Sequence, residues 1–280
     1  MRVLVLTGYG LNCEEETAAA YWLAGADACI VHASDLFRGV VTLDPFSIVH
    51  LSGGFSFGDD LGSGQVLANR MRFEPLPSGG TLLSELARFR DRGGLVYGVC
   101  NGFQVLVKSG LLPNLAGRLE QEVTLAHNDS GRFEDRWVRC LVSSRRSPAF
   151  AGLLALELPV RHGEGKLVTR DPSVSEALLR DGLVCLTYAD PGEGQPTQTY
   201  PDNPNGSELA CAGLVDTTGR VLGTMPHPEA YLSPELHPAW PTRARRGALP
   251  EHGEGLRIFQ NLVLAASASP SPAQDRKDPG

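Results

Sequence analysis

No two of the six cysteines, Cys13, Cys29, Cys100, Cys140, Cys185 and Cys211, stand at C-x-x-C spacing, so zinc sites of that spacing are excluded and no metal is expected. The chain also lacks a surplus of basic charge. Its 25 Lys and Arg face 32 Asp and Glu, a net −7, which argues against a bulk electrostatic pull toward nucleic acid. The basic clusters Arg145-Arg146 and Arg243 to Arg246 are short and read as solvated loops. No apolar run could span a bilayer. The run after Arg2 is only Val3 to Leu6, so no secretory leader is expected. The phosphate-cradling string G-x-x-x-x-G-K-[ST] is absent as well. What is present is a 280-residue chain with 42% hydrophobic residues. That is enough to bury a core without disulfide or metal staples, in one large α/β domain or two small ones. A reducing cytoplasm is the expected compartment.

The first half alternates strand and helix patterns. Val3 to Leu6 reads as a buried strand closed by Thr7-Gly8-Tyr9-Gly10, and Glu14 to Leu23 as a helix with an acidic first turn and Gly25 past its end. Strands are expected over Ala28–Val31, Ile48–Leu51 and Leu95–Val99, and helices over Thr81–Arg92 and Gly102–Lys108. Such alternation predicts a mostly parallel sheet with helices on both faces and its chemistry at the carboxyl ends of the strands. The second half is richer in strand patterns: Val138–Val142, Leu156–Val160, Val184–Tyr188, Ala212–Val215 and Val221–Met225. A last helix is expected over Leu256–Ala266. Residues 1–266 are taken as one domain, and Ser267 to Gly280, rich in Ser, Pro and Ala and then charged, as a disordered tail.

Three segments carry chemistry. Gly98-Val99-Cys100-Asn101-Gly102 lies between a strand and a helix. Small residues on both sides permit the sharp turn of a nucleophile elbow, with the sulfur exposed at a helix N-terminus that favours thiolate and the Asn101 N–H aimed at a developing oxyanion. A Gly-rich turn that happens to bury a Cys is the bland alternative. Met225-Pro226-His227-Pro228-Glu229 follows a predicted strand. In extended backbone His227 and Glu229 share a side, and the prolines restrict the chain that presents them, so His227 can move protons while Glu229 orients the ring. A surface Pro-rich loop with an incidental His is the alternative here. His162 and His252 also have Glu two residues on, but in Gly-rich strings that read as flexible. Ser52-Gly53-Gly54 follows a third strand, and the Gly54 N–H is a candidate second oxyanion donor.

Together these strings resemble the triad-type glutamine amidotransferases, and within them the glutaminase subunits of phosphoribosylformylglycinamidine synthase. The resemblance is carried by Gly8 to Cys13, Gly53 to Asp59, Gly98 to Gln104, His162 to Gly165, Pro204 to Ser207 and Met225 to Glu229, in that order over roughly residues 2 to 265. It implies a flavodoxin-like α/β fold of the class I amidotransferase type. It further implies a Cys100–His227–Glu229 triad, an oxyanion hole from Gly54 and Asn101, and Gln104 as a contact to glutamine. The ammonia would pass to a large synthetase subunit that binds ATP and Mg and turns formylglycinamide ribonucleotide into its amidine in purine biosynthesis, often with a small bridging subunit. No cofactor is implied for this chain, nor a nucleic acid or membrane partner. The chain departs from the family pattern at Ala230, where Arg is frequent, at Leu61 to Gly64, and in a longer Leu232–Gly253 segment. The readings left open are a hydrolase of the same broad fold acting on another substrate and a binding subunit without catalysis. A dinucleotide-binding loop fits less well, since Cys13 stands where its third glycine belongs.

Overall fold

The computed structural model of the chain describes residues 1–268. In chain order the elements are β1 (Arg2–Thr7), α1 (Glu14–Leu23), β2 (Asp27–His32), α2 (Ala33–Phe37), β3 (Ile48–Leu51), α3 (Gln65–Phe73), α4 (Leu82–Asp91), β4 (Leu95–Val99) and α5 (Asn101–Lys108). The second half continues with β5 (Val123–His127), β6 (Glu134–Val142), β7 (Ala155–His162), β8 (Glu164–Thr169), α6 (Pro172–Arg180), β9 (Val184–Ala189), β10 (Cys211–Val215), β11 (Val221–Thr224), α7 (Trp240–Arg245) and α8 (Leu256–Ala268).

Both halves build one nine-stranded sheet in the order β2-β1-β3-β4-β11-β10-β9-β6-β7, and β5 pairs with β8 in a separate two-stranded ribbon. From β2 to β11 the neighbours are parallel. From β11 to β7 they are antiparallel, so the β-rich second half continues the expected parallel sheet. The central parallel strands β3 and β4 are buried along their whole length, as strands covered by helices on both faces are. Helix α5 is buried along its whole length, the mark of a helix enclosed on every side. Helix α4 begins at Thr81, whose side chain accepts from Ser84 N while Ser84 Oγ accepts from Thr81 N, a reciprocal cap that stops fraying.

Six elements lie outside the sequence expectations: α2, α3, α6, α7, β5 and β8. The end of the chain also differs. Helix α8 runs through Ser267 to Ala268, so the first two residues assigned to the tail are helical, because the apolar spacing of Leu256, Phe259, Leu262 and Ala266 buries one face that carries the helix onward. The rest of the expected tail, 269–280, lies outside the described residues. Among the described residues no helix is long and apolar enough to cross a membrane.

Candidate active site

Strands β3, β4 and β11 are neighbours, with Leu51 opposite Gly98 and Thr224 opposite Val99. The three segments that follow them, distant in sequence, therefore leave the sheet side by side at its carboxyl end.

The middle one is the elbow. Cys100 sits at φ 51°, ψ −106°, a conformation L-residues avoid, and it persists because the surroundings fix it. Its N–H donates to Thr224 O at 2.8 Å. A Cβ on Gly98 would lie 2.6 Å from the Gly102 carbonyl, and one on Gly102 would lie 2.0 Å from Leu51 O. Only glycine fits at either side of Cys100. The expectation of an exposed sulfur is corrected: Cys100 is 5% accessible. The end of β7 folds over it, with Sγ 3.4 Å from Arg161 O and Pro159 O accepting from His227 N at 2.8 Å. The elbow motif sets the turn, but the cover comes from a distant strand.

His227 and Glu229 are buried together, Nδ1 to Oε1 at 2.5 Å. Burial pushes the imidazole pKa down, yet the Glu229 carboxylate and then Cys100 outweigh it and hold His227 well above its ordinary 6.5. Burial likewise raises Glu229, but His227 outweighs it and keeps the carboxyl below its usual range. Both shifts favour an imidazolium that donates Nδ1–H to a carboxylate. The pair's outer atoms, His227 Nε2 and Glu229 Oε2, are buried without a hydrogen-bond partner.

The turn after β3 is held by the loop after β1. Asn12 N donates to Gly53 O at 3.0 Å and Phe55 N to Gly10 O at 2.8 Å, bridging Leu11 to Gly54. In such a bridge the central residue's own N–H points away from its partner strand, so Gly54 N–H is turned out of the loop. Gly54 has φ 139°, and a Cβ there would lie 2.6 Å from Gly10 O, so this donor also requires glycine. The first N–H groups of α5, Asn101 among them, have no intrahelical acceptor.

Asn101 and Gln104 meet, with their amides already engaged. Asn101 Oδ1 accepts from Ser56 N at 3.1 Å, and its Nδ2 donates to Gln104 Oε1 at 2.9 Å and Asp59 Oδ1 at 3.2 Å. Gln104 Nε2 donates to Glu164 O at 2.5 Å. Beside them Lys108 Nζ lies 3.6 Å from Glu164 Oε2. Gln104 therefore ties α5 to β8, and a contact to substrate would have to share or displace these bonds.

His162, read as part of a flexible string, is instead buried at the end of β7 with Nδ1 3.0 Å from Asn128 Oδ1. Burial, then the charge on His227, lowers it to about 3, so it is a neutral neighbour of the site, unsuited to take a proton. His252 is exposed. The residue overlooked in the sequence is Cys13. It stands in the loop that holds Gly53, and a Cβ on Gly53 would touch both its Sγ, at 3.2 Å, and His227 Cε1, at 2.9 Å. Asp59, bonded by Ser63 Oγ at 2.8 Å, was also overlooked, though both residues lie in strings that carried the resemblance.

Comparison with known proteins gives the same family. A family model described as a CobB/CobQ-like glutamine amidotransferase domain matches residues 1–264. The phosphoribosylformylglycinamidine synthase subunit PurQ of Dehalococcoides mccartyi is 40% identical over 266 residues, 94% of this chain and 96% of that protein. The PurQ subunit of Methanococcus maripaludis strain C5 is 36% identical over 269 residues, 94% and 97% of the two chains. Among solved structures, a chain of PurLQS from Thermotoga maritima superposes with TM-score 0.67 at 27% identity, covering 94% of this chain and 97% of that one. A glutamine amidotransferase from the same organism, at 15% identity and TM-score 0.51 over 95% and 96% of the chains, shares the fold. The chain belongs to the CobB/CobQ-like glutamine amidotransferases and, within them, to the family of PurQ subunits of phosphoribosylformylglycinamidine synthase.

Proposed function

We propose that this chain hydrolyses the side-chain amide of glutamine at Cys100 and delivers the ammonia to a synthetase partner that converts formylglycinamide ribonucleotide to its amidine with ATP. The observation that carries the reading is the convergence of Cys100, the buried His227–Glu229 pair and the outward Gly54 N–H at the ends of three adjacent strands. In the first half-reaction the Cys100 thiolate attacks the amide carbon, and the Gly54 and Asn101 N–H groups receive the oxyanion. Imidazolium His227 gives its Nε2 proton to the departing nitrogen, so ammonia leaves and a thioester remains. Water then attacks the thioester while His227 takes its proton, releasing glutamate and restoring the thiolate. Glu229 keeps the ring in the orientation and protonation state both steps need.

The PurQ relatives are named as subunits, and the Thermotoga neighbour comes from a PurLQS structure. Both support a large synthetase subunit, with a small bridging subunit, as the partners. ATP and Mg chemistry belongs to that partner, in keeping with the missing P-loop string. Free cysteines throughout the described residues fit a reducing cytoplasm. The test is glutamate release from glutamine by the chain and by Cys100→Ala, with asparagine as the competing amide. Turnover confined to glutamine and abolished by the substitution is expected. Normal turnover in Cys100→Ala, or a preference for asparagine, contradicts the assignment.

A further inference from the structure

The mechanism uses Cys100, His227 and Glu229 but leaves a second thiol idle beside them. Ligand atoms of Cys13, His227 and Glu229 all lie within 4.8 Å of one another. Glu229 Oε2 is buried with no hydrogen-bond partner, while Cys13, only partly buried, gives the cluster an approach from solvent. Thiolate, imidazole and carboxylate together are the donor set of zinc and its close analogues, which sit about 2.3 Å from sulfur and about 2.0–2.2 Å from nitrogen and oxygen. The 2.5 Å contact between His227 Nδ1 and Glu229 Oε1 would open by about an ångström, and Cys13 would close by a similar amount, to meet those lengths. Gly53, which already admits Cys13 Sγ and the His227 ring to near contact, leaves room for that movement.

We propose that Cys13, His227 and Glu229 form a binding site for zinc or a similar borderline-soft divalent cation, and that occupancy switches the triad off. The cation replaces two protons, the one on Cys13 sulfur and the one shared between His227 Nδ1 and Glu229, and both leave to solvent. The ring then carries its single remaining proton on Nε2, facing the nucleophile. In that state it cannot accept a proton from water, and it cannot donate one without becoming an imidazolate. Inhibition follows from the tautomer the metal imposes, with Cys100 itself unligated. The cluster shares His227 and Glu229 with the proposed triad, but metal binding has its own spectroscopic signal, so its test need not involve turnover.

The experiment uses the full chain carrying Cys100→Ser, which removes the elbow thiol as an alternative ligand. Cobalt(II) is added as a spectroscopic stand-in for zinc. One equivalent should bind with a thiolate-to-cobalt charge-transfer band that zinc displaces. Adding Cys13→Ser should remove the band, and adding Glu229→Gln should weaken binding by at least about tenfold, as loss of even an outer-shell partner does. Absence of the band in the Cys100→Ser chain overturns the proposal, as does its survival after Cys13→Ser. A second readout needs no change at Cys13: in the Cys100→Ser chain, zinc should slow alkylation of Cys13, mapped by mass spectrometry. An unchanged alkylation rate at saturating zinc contradicts the site. Either failure leaves the glutaminase reading standing, because neither arm measures glutamine.

Discussion

At the scale of single residues the account rests on division of labour around His227. In the proposed mechanism its ring moves protons, while Glu229 only orients and charges it. His227→Ala should therefore lower glutaminase turnover by about 10²–10⁴-fold, the usual worth of a positioned acid–base group. Glu229→Gln should cost less while shifting the pH profile, because the carboxylate that outweighs burial at His227 is gone and the ring loses its proton at lower pH. Steady-state rates across pH check both. A chain that keeps its rate without His227 but loses it with His162→Ala would show that His162, not His227, moves the protons. The elbow at Cys100 and the His227–Glu229 pairing were legible from sequence because backbone restriction is written there: glycines around the thiol, prolines around the histidine. Cys13 was not, since its importance comes from packing against His227 through Gly53, and a cysteine in an Asn-Cys turn has no local pattern to announce that contact. The burial of Cys100 was illegible for the same reason: its cover, Arg161, is distant in sequence.

At the scale of elements the central unit is β4, the elbow and α5. Its tightness is a matter of backbone approach, which makes it testable by adding one methyl. At Gly102 the new Cβ would meet Leu51 O at 2.0 Å, and neither backbone can yield without moving a sheet strand. Gly102→Ala should destabilise the fold by about 1–3 kcal/mol, the cost of overpacking, and reduce glutaminase activity out of proportion. Gly163→Ala, whose nearest neighbour is a Phe133 ring atom at 4.0 Å, should stay within about 0.5 kcal/mol. Urea denaturation of the two variants compares them; equal midpoints would show that the elbow is not sterically locked. Most sheet strands and the longer helices were readable because their apolar runs are bounded by Gly and polar turns. Helix α6 had its signal too, Asp171 capping Ser173 N at 3.0 Å ahead of Pro172, with Val174 and Leu178 buried four residues apart. Residues 172–180 are nevertheless not among the expected helices. Helix α3 follows a Gly-rich stretch, Leu61 to Gly64, that reads as loop. Strands β5 and β8 are short and pair only with each other, so their identity depends on a long-range partner that no local pattern reveals.

For the whole molecule the buried histidines set the response to acid. His50, between Tyr21 and Tyr97 with its Nδ1 3.1 Å from Tyr21 Oη, is lowered by burial to about 4, and His162 to about 3. Below the unfolded value of about 6.5 the unfolded chain binds a proton at each that the native protein refuses. Stability therefore falls as pH drops from 6.5 toward those folded values. The two sites together should remove about 3–4 kcal/mol between pH 7 and pH 5. His227 acts in the opposite sense and elsewhere: held above 6.5, its contribution is fully present below that pH and is lost as pH rises through its folded value. Urea titrations at pH 7 and 5 on the parent chain and on His50→Gln should show the variant losing about half as much. An equal loss in both would remove His50 from the account.

The same scale holds the central claim, that Cys100 makes ammonia for a reaction carried out on a partner. The direct measurement is amidine formation by the assembled synthetase with ATP and formylglycinamide ribonucleotide, comparing the parent chain with Cys100→Ala and glutamine with ammonium as nitrogen source. The account predicts product from both sources with the parent, and from ammonium alone with Cys100→Ala. Equal use of glutamine by the Cys100→Ala complex, or no amidine from either source with the parent, would contradict it.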